Sequence, residues 1–289
     1  MGGSLHFEAP TALQYFAALV ADDKGFPLVE VAIAVAQDAD PQLDPQAVLS
    51  QIDRLAERLR RRLAADASPL QKLRLLNRYF FHELGFAGNV NDYHDPRNSY
   101  LPEVLNSRRG IPITLALIYE ELALQVGLPA SGVSFPGHFL VKLHMPRGEV
   151  VIDPFSGQSL SREELDERLM PYRRQRGLVG DFEAPLGLFL QSALPRDVIA
   201  RLLRNLKEVH RGADDPRAQL AVLERLVILL PQAWEERRDR GLLQAELGNA
   251  AAATADLRLY LQHCPDAEDA QPLRHRLHQL AGPRQPRWH

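Results

Sequence analysis

Arg109-Gly110-Ile111-Pro112-Ile113-Thr114-Leu115-Ala116-Leu117-Ile118-Tyr119 is the stretch on which the architecture turns. The run continues to Val126, and Gly127 with Leu128-Pro129 closes it. Apolar residues fall on nearly every side: Ile111, Ile113, Leu115, Leu117, Ile118, Leu122, Leu124 and Val126. This pattern predicts a helix over residues 110–126 buried at the centre of a domain, too short to cross a membrane. Pro112 suits the first turn, where its fixed φ helps and its missing N–H costs no bond. Gly127 supplies a C-terminal cap, and Leu128-Pro129 prevents continuation.

Downstream the period changes. Phe139–Leu143 and Val150–Ile152 read as short strands, with Pro146-Arg147-Gly148 as the turn of a β-hairpin. If the turn is centred near Pro146 and Arg147, residues whose numbers sum to about 293 face each other. His138, after Phe135-Pro136-Gly137, then lies opposite the Asp153–Phe155 region, to within one or two residues. A carboxylate there would fix the tautomer of the imidazole and stabilise its cation, the orienting role in a catalytic triad. The third member belongs at the start of the buried helix, where the macrodipole and an imidazolium lower a thiol's pKa. The helix starts at Gly110-Ile111-Pro112, and none of these residues carries a nucleophile. The chain has one cysteine, Cys264, far along in a different region.

Upstream, Ala12–Val20, Leu28–Gln37 and Gln46–Leu63 read as helices, started by Thr11, Pro27 and Asp44-Pro45. Ser68-Pro69 opens another, with Leu70, Leu73, Leu76, Phe80 and Leu84 as one stripe and Gly85 as its stop. Asn89–Ser99 is polar and turn-like. From Arg196 the chain is helical again: Val198–Val209, Ala218–Leu230, Trp234–Leu247, Ala250–His263 and Pro272–Leu280. Trp234, Arg240-Gly241, Leu247-Gly248, Ala252, Ala255, Leu257, Tyr260 and Pro265 follow the pattern of a tetratricopeptide repeat, whose small residues let paired helices pack closely.

The order Gly-x-(Cys) at a helix start, His on a strand and Asp-Pro on the next strand resembles the transglutaminase-like, papain-type fold. Gly110, His138 and Asp153-Pro154 match it, and Pro112 takes the cysteine position. More narrowly, Asp95-Pro96-Arg97-Asn98-Ser99-Tyr100-Leu101, Arg109–Leu115, Phe135–Phe139 and Asp153-Pro154-Phe155-Ser156-Gly157 look like the SirB1 family of bacterial proteins. The resemblance covers most of the chain. It implies an α+β fold: a mostly helical N-terminal part, a papain/transglutaminase-like core with a small antiparallel sheet, and C-terminal tetratricopeptide-like α-hairpins. The expected domains are residues 1–195, residues 196–282 and a disordered tail, 283–289. A related core in an F-box protein serves an adaptor, which leans towards binding over turnover.

Each candidate residue has a plainer reading beside the functional one. His138 is a retained base or a hydrogen-bonded strand histidine; Asp153 orients it or simply ends a strand. Asn98, Ser99 and Arg109 line a pocket beside His138 or make caps and loop bonds. Thr114 is the hydroxyl nearest the vacant position, but at ~100° per residue it points roughly 200° from Pro112. Ser107 and Ser134 have no motif support. His82, His94 and His144 have no metal-ligand spacing with His138, so no metal and no cofactor is expected.

Composition bounds the remainder. The 289 residues are 45% hydrophobic and 25% charged, ordinary for a globular protein of two domains. A net charge of −3 gives no electrostatic case for nucleic acid. Arg58–Arg62 and Arg173–Arg176 read as solvated faces. One cysteine precludes an internal disulfide framework and fits a reducing compartment. With no basic-then-apolar leader, no ~18-residue apolar run and His6 where myristoylation wants Ser or Thr, the expected location is the cytoplasm. The expected function is a cysteine-less, non-catalytic module that binds a protein or peptide through the repeat helices. The alternative is a cysteine-independent amide or ester hydrolase using His138 and Asp153.

Overall fold

Thr11 and Gln14 close a capping box on α1 (Ala12–Leu19), the first element of a computed structural model that describes residues 10–22, 25–180 and 184–281. The expected tail, 283–289, lies outside the described residues. The chain divides into two units, residues 1–202 and 203–289. The fold class is α+β.

In the first unit α2 (Leu28–Val35) buries Val29 and Val31–Val35, since its sequence offers no polar face. Asp44 caps α3 (Pro45–Arg60), which buries Val48, Ile52, Leu55, Ala56 and Leu59 at helical spacing. Ser68 and Gln71 cap α4 (Pro69–Asn77). The stripe expected there is shorter than its spacing predicts. Leu70 sits in the first turn, 48% exposed, and from Arg78 the helix widens into a π turn, Arg78–Glu83. The wider turn breaks the i, i+4 phase, so Phe86 enters the core in place of Leu84 and stacks on Phe80.

β1 (Ala87–Gly88) and β2 (Arg109–Gly110) form a short parallel pair around α5 (Leu101–Ser107). They deliver the chain to α6 (Pro112–Gln125), whose residues 112–119 are all buried. Arg108, at the end of α5, takes a left-handed φ of 60° and lies over the Phe86 ring at 4.7 Å.

β3 (Ala130–Val133), β4 (Leu140–Met145), β5 (Gly148–Asp153) and β6 (Gln158–Leu160) form an antiparallel sheet in that order. Val141 pairs with Ile152 and Lys142 with Val151. One face carries Val133, Leu140, Val151 and Leu160 against Leu165 and Leu169 of α7 (Arg162–Gln175) and Leu186 of α8 (Leu186–Phe189). By alternation Val141, Leu143 and Ile152 take the other face, towards α6. Arg173 of α7 corrects the reading of its cluster as solvated. It is 2% exposed, with Nη1 donating to Asp166 Oδ1 and Nη2 to the Ala184 carbonyl.

α9 (Pro195–Gly212) contains the division between the units, where the sequence reading set the boundary at its start. The second unit continues with α10 (Pro216–Leu229), α11 (Trp234–Glu246), α12 (Ala250–His263) and α13 (Ala270–Ala281). Gly241 lets α11 close on α12: a β-carbon there would lie 3.0 Å from both Asp256 and Leu257. Asp256, buried at that contact, is gripped by Arg240 through two hydrogen bonds of 2.7 Å and by Arg237 at 3.4 Å. Trp234 stacks on His263.

Candidate functional site

Gly137, at φ 70°, turns the chain just before β4, and the His138 N–H closes the turn on the Phe135 carbonyl at 3.0 Å. Arg201 of α9 holds the same turn from outside, donating to Ser134 Oγ at 2.8 Å and to the Phe135 carbonyl at 3.1 Å. Asp153 is the last residue of β5. The β4–β5 register therefore brings the two side chains together, with His138 Nε2 2.8 Å from Asp153 Oδ1. An ionised carboxylate only accepts, so Nε2 carries the proton. Nδ1 then has no hydrogen-bond partner among the described residues.

Asp153 is 3% exposed, and both of its oxygens are hydrogen-bonded. Oδ1 also accepts the Phe155 N–H at 2.9 Å, and Oδ2 accepts Arg168 Nη1 from α7 at 3.0 Å. Burial alone would raise its pKa. The hydrogen bond and charge of His138, together with Arg168 and the Phe155 N–H, outweigh burial and hold the carboxyl well below the usual range.

His138 lines a cavity of about 320 Å³ with Pro112, Val90, Tyr93 and Phe155. Its walls are tied to one another. The Gly88 N–H donates to the Phe155 carbonyl at 2.9 Å, and the Phe155 ring lies so close that a β-carbon on Gly88 would be 2.3 Å from it. Phe155 meets His138 edge-on at 6.3 Å and Tyr93 at 6.0 Å. Pro112, the first residue of α6, forms part of the lining where a thiol of the resembled fold would stand.

The structure places the other sequence candidates outside the cavity lining. Asn98 is 3% exposed and works as a tie: Nδ2 donates to the carbonyls of Asp92 and Tyr93, and Oδ1 accepts from Asn89. Its own carbonyl accepts Thr114 Oγ1 at 2.8 Å, which accounts for the fully buried Thr114 hydroxyl. Asn98 and Thr114 thus fasten the 89–94 loop, with Val90 and Tyr93, to the start of α6. Ser99 is buried at 1% exposure. Arg109 is exposed, and its Nη1 donates to the carbonyls of Gly85 and Arg108. Val90, Tyr93, Phe155, Arg168 and Arg201 were not singled out from the sequence. Tyr93 and Phe155 carried a signal, as aromatic residues inside polar, turn-like segments. Arg168 and Arg201 sit on helices with nothing local to distinguish them.

No group of three or more His, Cys, Asp or Glu side chains among the described residues is placed to hold a metal. Cys264 follows α12 in the second unit. Among the described residues no helix is long and apolar enough to cross a membrane.

Residues 46–204 match the transglutaminase-like superfamily, and residues 206–278 match the tetratricopeptide repeat. A UPF0162 protein of Xylella fastidiosa strain Temecula1 is 38% identical over 264 residues, 91% of this chain and 93% of that protein. A UPF0162 protein of Pseudomonas aeruginosa is 32% identical over 89% of this chain and 92% of its own length. The UPF0162 protein YchA of Escherichia coli K12 is 27% identical over 88% and 93%. No solved structure matches the chain.

Proposed function

Because the chain belongs to the transglutaminase-like superfamily, among the UPF0162 proteins, yet has no sulfur nucleophile in residues 1–202, we propose that it is a non-catalytic protein that binds a peptide or protein partner. The observation that carries this reading is Pro112 in the cavity with His138. Thiol chemistry needs a thiolate that attacks a carbonyl and an imidazole that passes a proton to the leaving group. Proline supplies neither a nucleophile nor a backbone N–H for an oxyanion.

The cavity offers instead a proline face, two aromatic rings, a valine and one imidazole edge. Those walls suit an apolar or aromatic side chain of a peptide, with His138 Nδ1 accepting a backbone N–H. Asp153 and Arg168 act by holding the ring. The tetratricopeptide match of residues 206–278 supports a protein partner. The SirB1 likeness and a cytoplasmic location belong to the same proposal.

The test uses the purified full chain. Screening a peptide library and titrating hits by calorimetry is expected to give ligands whose affinity falls at least tenfold in Tyr93→Ala. Amide and ester panels are expected to show equal background rates in wild type and His138→Ala. Turnover that disappears in His138→Ala would overturn the proposal. It would support the second reading, a cysteine-independent amide or ester hydrolase in which His138 activates water and Asp153 orients it. One observation favours that reading: Nδ1 of His138 has no hydrogen-bond partner among the described residues.

A further inference from the structure

The layer between the sheet and α7 is not filled throughout. Phe135, Leu140 and Leu169 pack there with residual exposure of 1% or less. Val151, Leu160, Leu165 and Leu186 of the same cluster instead wall a cavity of about 490 Å³. That volume lies within the range of small-molecule sites, about 300–1,000 Å³. None of its lining residues lines the cavity at His138.

The cavity opens to the surface and carries charged groups in its lining. Lys142, central in β4, is 8% exposed and lines it. Alternation puts Lys142 on the same face as Leu140, so its ammonium enters an apolar layer. There Nζ donates to the Leu190 carbonyl at 2.8 Å and lies 3.2 Å from Glu149 Oε1. An ammonium has three N–H donors, and no further acceptor is supplied by the described residues. Arg162, at the start of α7, adds a second cation to the lining, and Glu149, 46% exposed at the side chain, is the one anion. The ammonium's anionic partner, Glu149, is itself half exposed, and Lys142 keeps donor capacity to spare beside four apolar walls.

We infer that this cavity binds a small amphiphilic monocarboxylate, its carboxylate on Lys142 and Arg162 and its apolar chain among Val151, Leu160, Leu165 and Leu186. Glu149 is the internal competitor, holding Lys142 in the empty site. The inference is independent of the peptide-binding proposal.

Octanoate is the probe, titrated into the full chain by calorimetry and by methyl NMR of the leucines. Octanol and octylamine serve as neutral and cationic controls of the same length. Octanoate is expected to bind, with octanol and octylamine weaker by about tenfold or more, the worth of one charge-assisted bond. Shifts should concentrate at Leu160, Leu165 and Leu186. Lys142→Met is expected to lose about tenfold and Arg162→Gln about threefold, whereas Glu149→Gln should tighten binding, which a merely structural Glu149 would not do. Gly187 also lines the cavity, and a β-carbon there meets nothing within 4 Å, so Gly187→Leu should block octanoate without disturbing the fold. Octanol binding as tightly as octanoate would overturn the inference. So would shifts scattered over other methyls, binding indifferent to Glu149→Gln and Arg162→Gln, or no binding by 5 mM octanoate.

Discussion

Asp153 in the first unit and Asp256 in the second are buried alike, at 3% and 4% exposure, but their partners differ. Asp256 is held by Arg240 and Arg237, two cations that stay charged at any pH a protein meets, at the contact of two packed helices. Asp153 is held by Arg168 and by a histidine. The arginines at Asp256 serve packing. The imidazole at Asp153 lines a cavity and leaves one nitrogen without a partner among the described residues. What separates a site from a structural ion pair here is therefore bonding capacity left over after the carboxylate is satisfied.

The comparison can be broken most sharply at Asp256. Asp256→Ala leaves two largely buried guanidinium groups without their anion and is expected to cost about 3–5 kcal/mol. Trp234 lies in α11 of the second unit, so urea unfolding followed by its fluorescence reads that unit. A loss under about 1 kcal/mol would remove the contrast.

Asp153→Asn keeps the shape and removes the charge, and is expected to cost about 2 kcal/mol at pH 7. The carboxyl is held below its unfolded value, so its contribution is fully present above about pH 4 and drains away as pH falls further. Wild type and variant should therefore converge in acid when unfolding is followed by circular dichroism. A gap that stays constant from pH 7 to pH 3 would contradict this.

Glu120 of α6 sharpens the contrast because its carboxyl has no cation partner among the described residues. Burial pushes it up to about 7, with the Gly132 N–H opposing and the Glu121 charge adding to the rise. Its contribution to stability is thus present below about pH 4.5 and is lost as pH rises through about 7. Glu120→Gln is expected to gain about 1–2 kcal/mol at pH 8 and to flatten the slope between those values. A loss at pH 8 would show a partner for the anion.

Pro112→Cys has the smallest expected effect on stability, under about 1 kcal/mol, because proline is favoured but not required at the first helical position. Its readout is chemical: with a helix start and His138 beside it, the new thiol should be alkylated by iodoacetamide at pH 6.5 faster than Cys264. Equal rates would mean that the geometry no longer supports a thiolate.

Local chemistry explains which parts of the molecule were legible in the sequence. Pro146-Arg147-Gly148 gave the turn, and the observed Val141–Ile152 pair has the register read from it. The buried helix was legible from its all-round apolar pattern. β3 and β6 were not, because Ala-Ser-Gly-Val and Gln-Ser-Leu carry no alternation and exist through pairing with the neighbouring strands β4 and β5. α7 was missed despite its Ser161–Glu164 capping box, since Pro171 and its charged residues mask the stripe of Leu165 and Leu169. The missing nucleophile could be read from one residue. The cavity walls could not, because the 89–94 loop meets Phe155 only through the tertiary fold.

The flat contact between Gly88 and the Phe155 ring has a consequence for motion. Gly88 pairs with Gly110, two residues before α6, so the loop, the turn after β5 and the helix start are tied together and are expected to open as one unit. A molecule wedged against Phe155 would slow amide hydrogen exchange along residues 87–99 and into the first turn of α6, far beyond the atoms it touches.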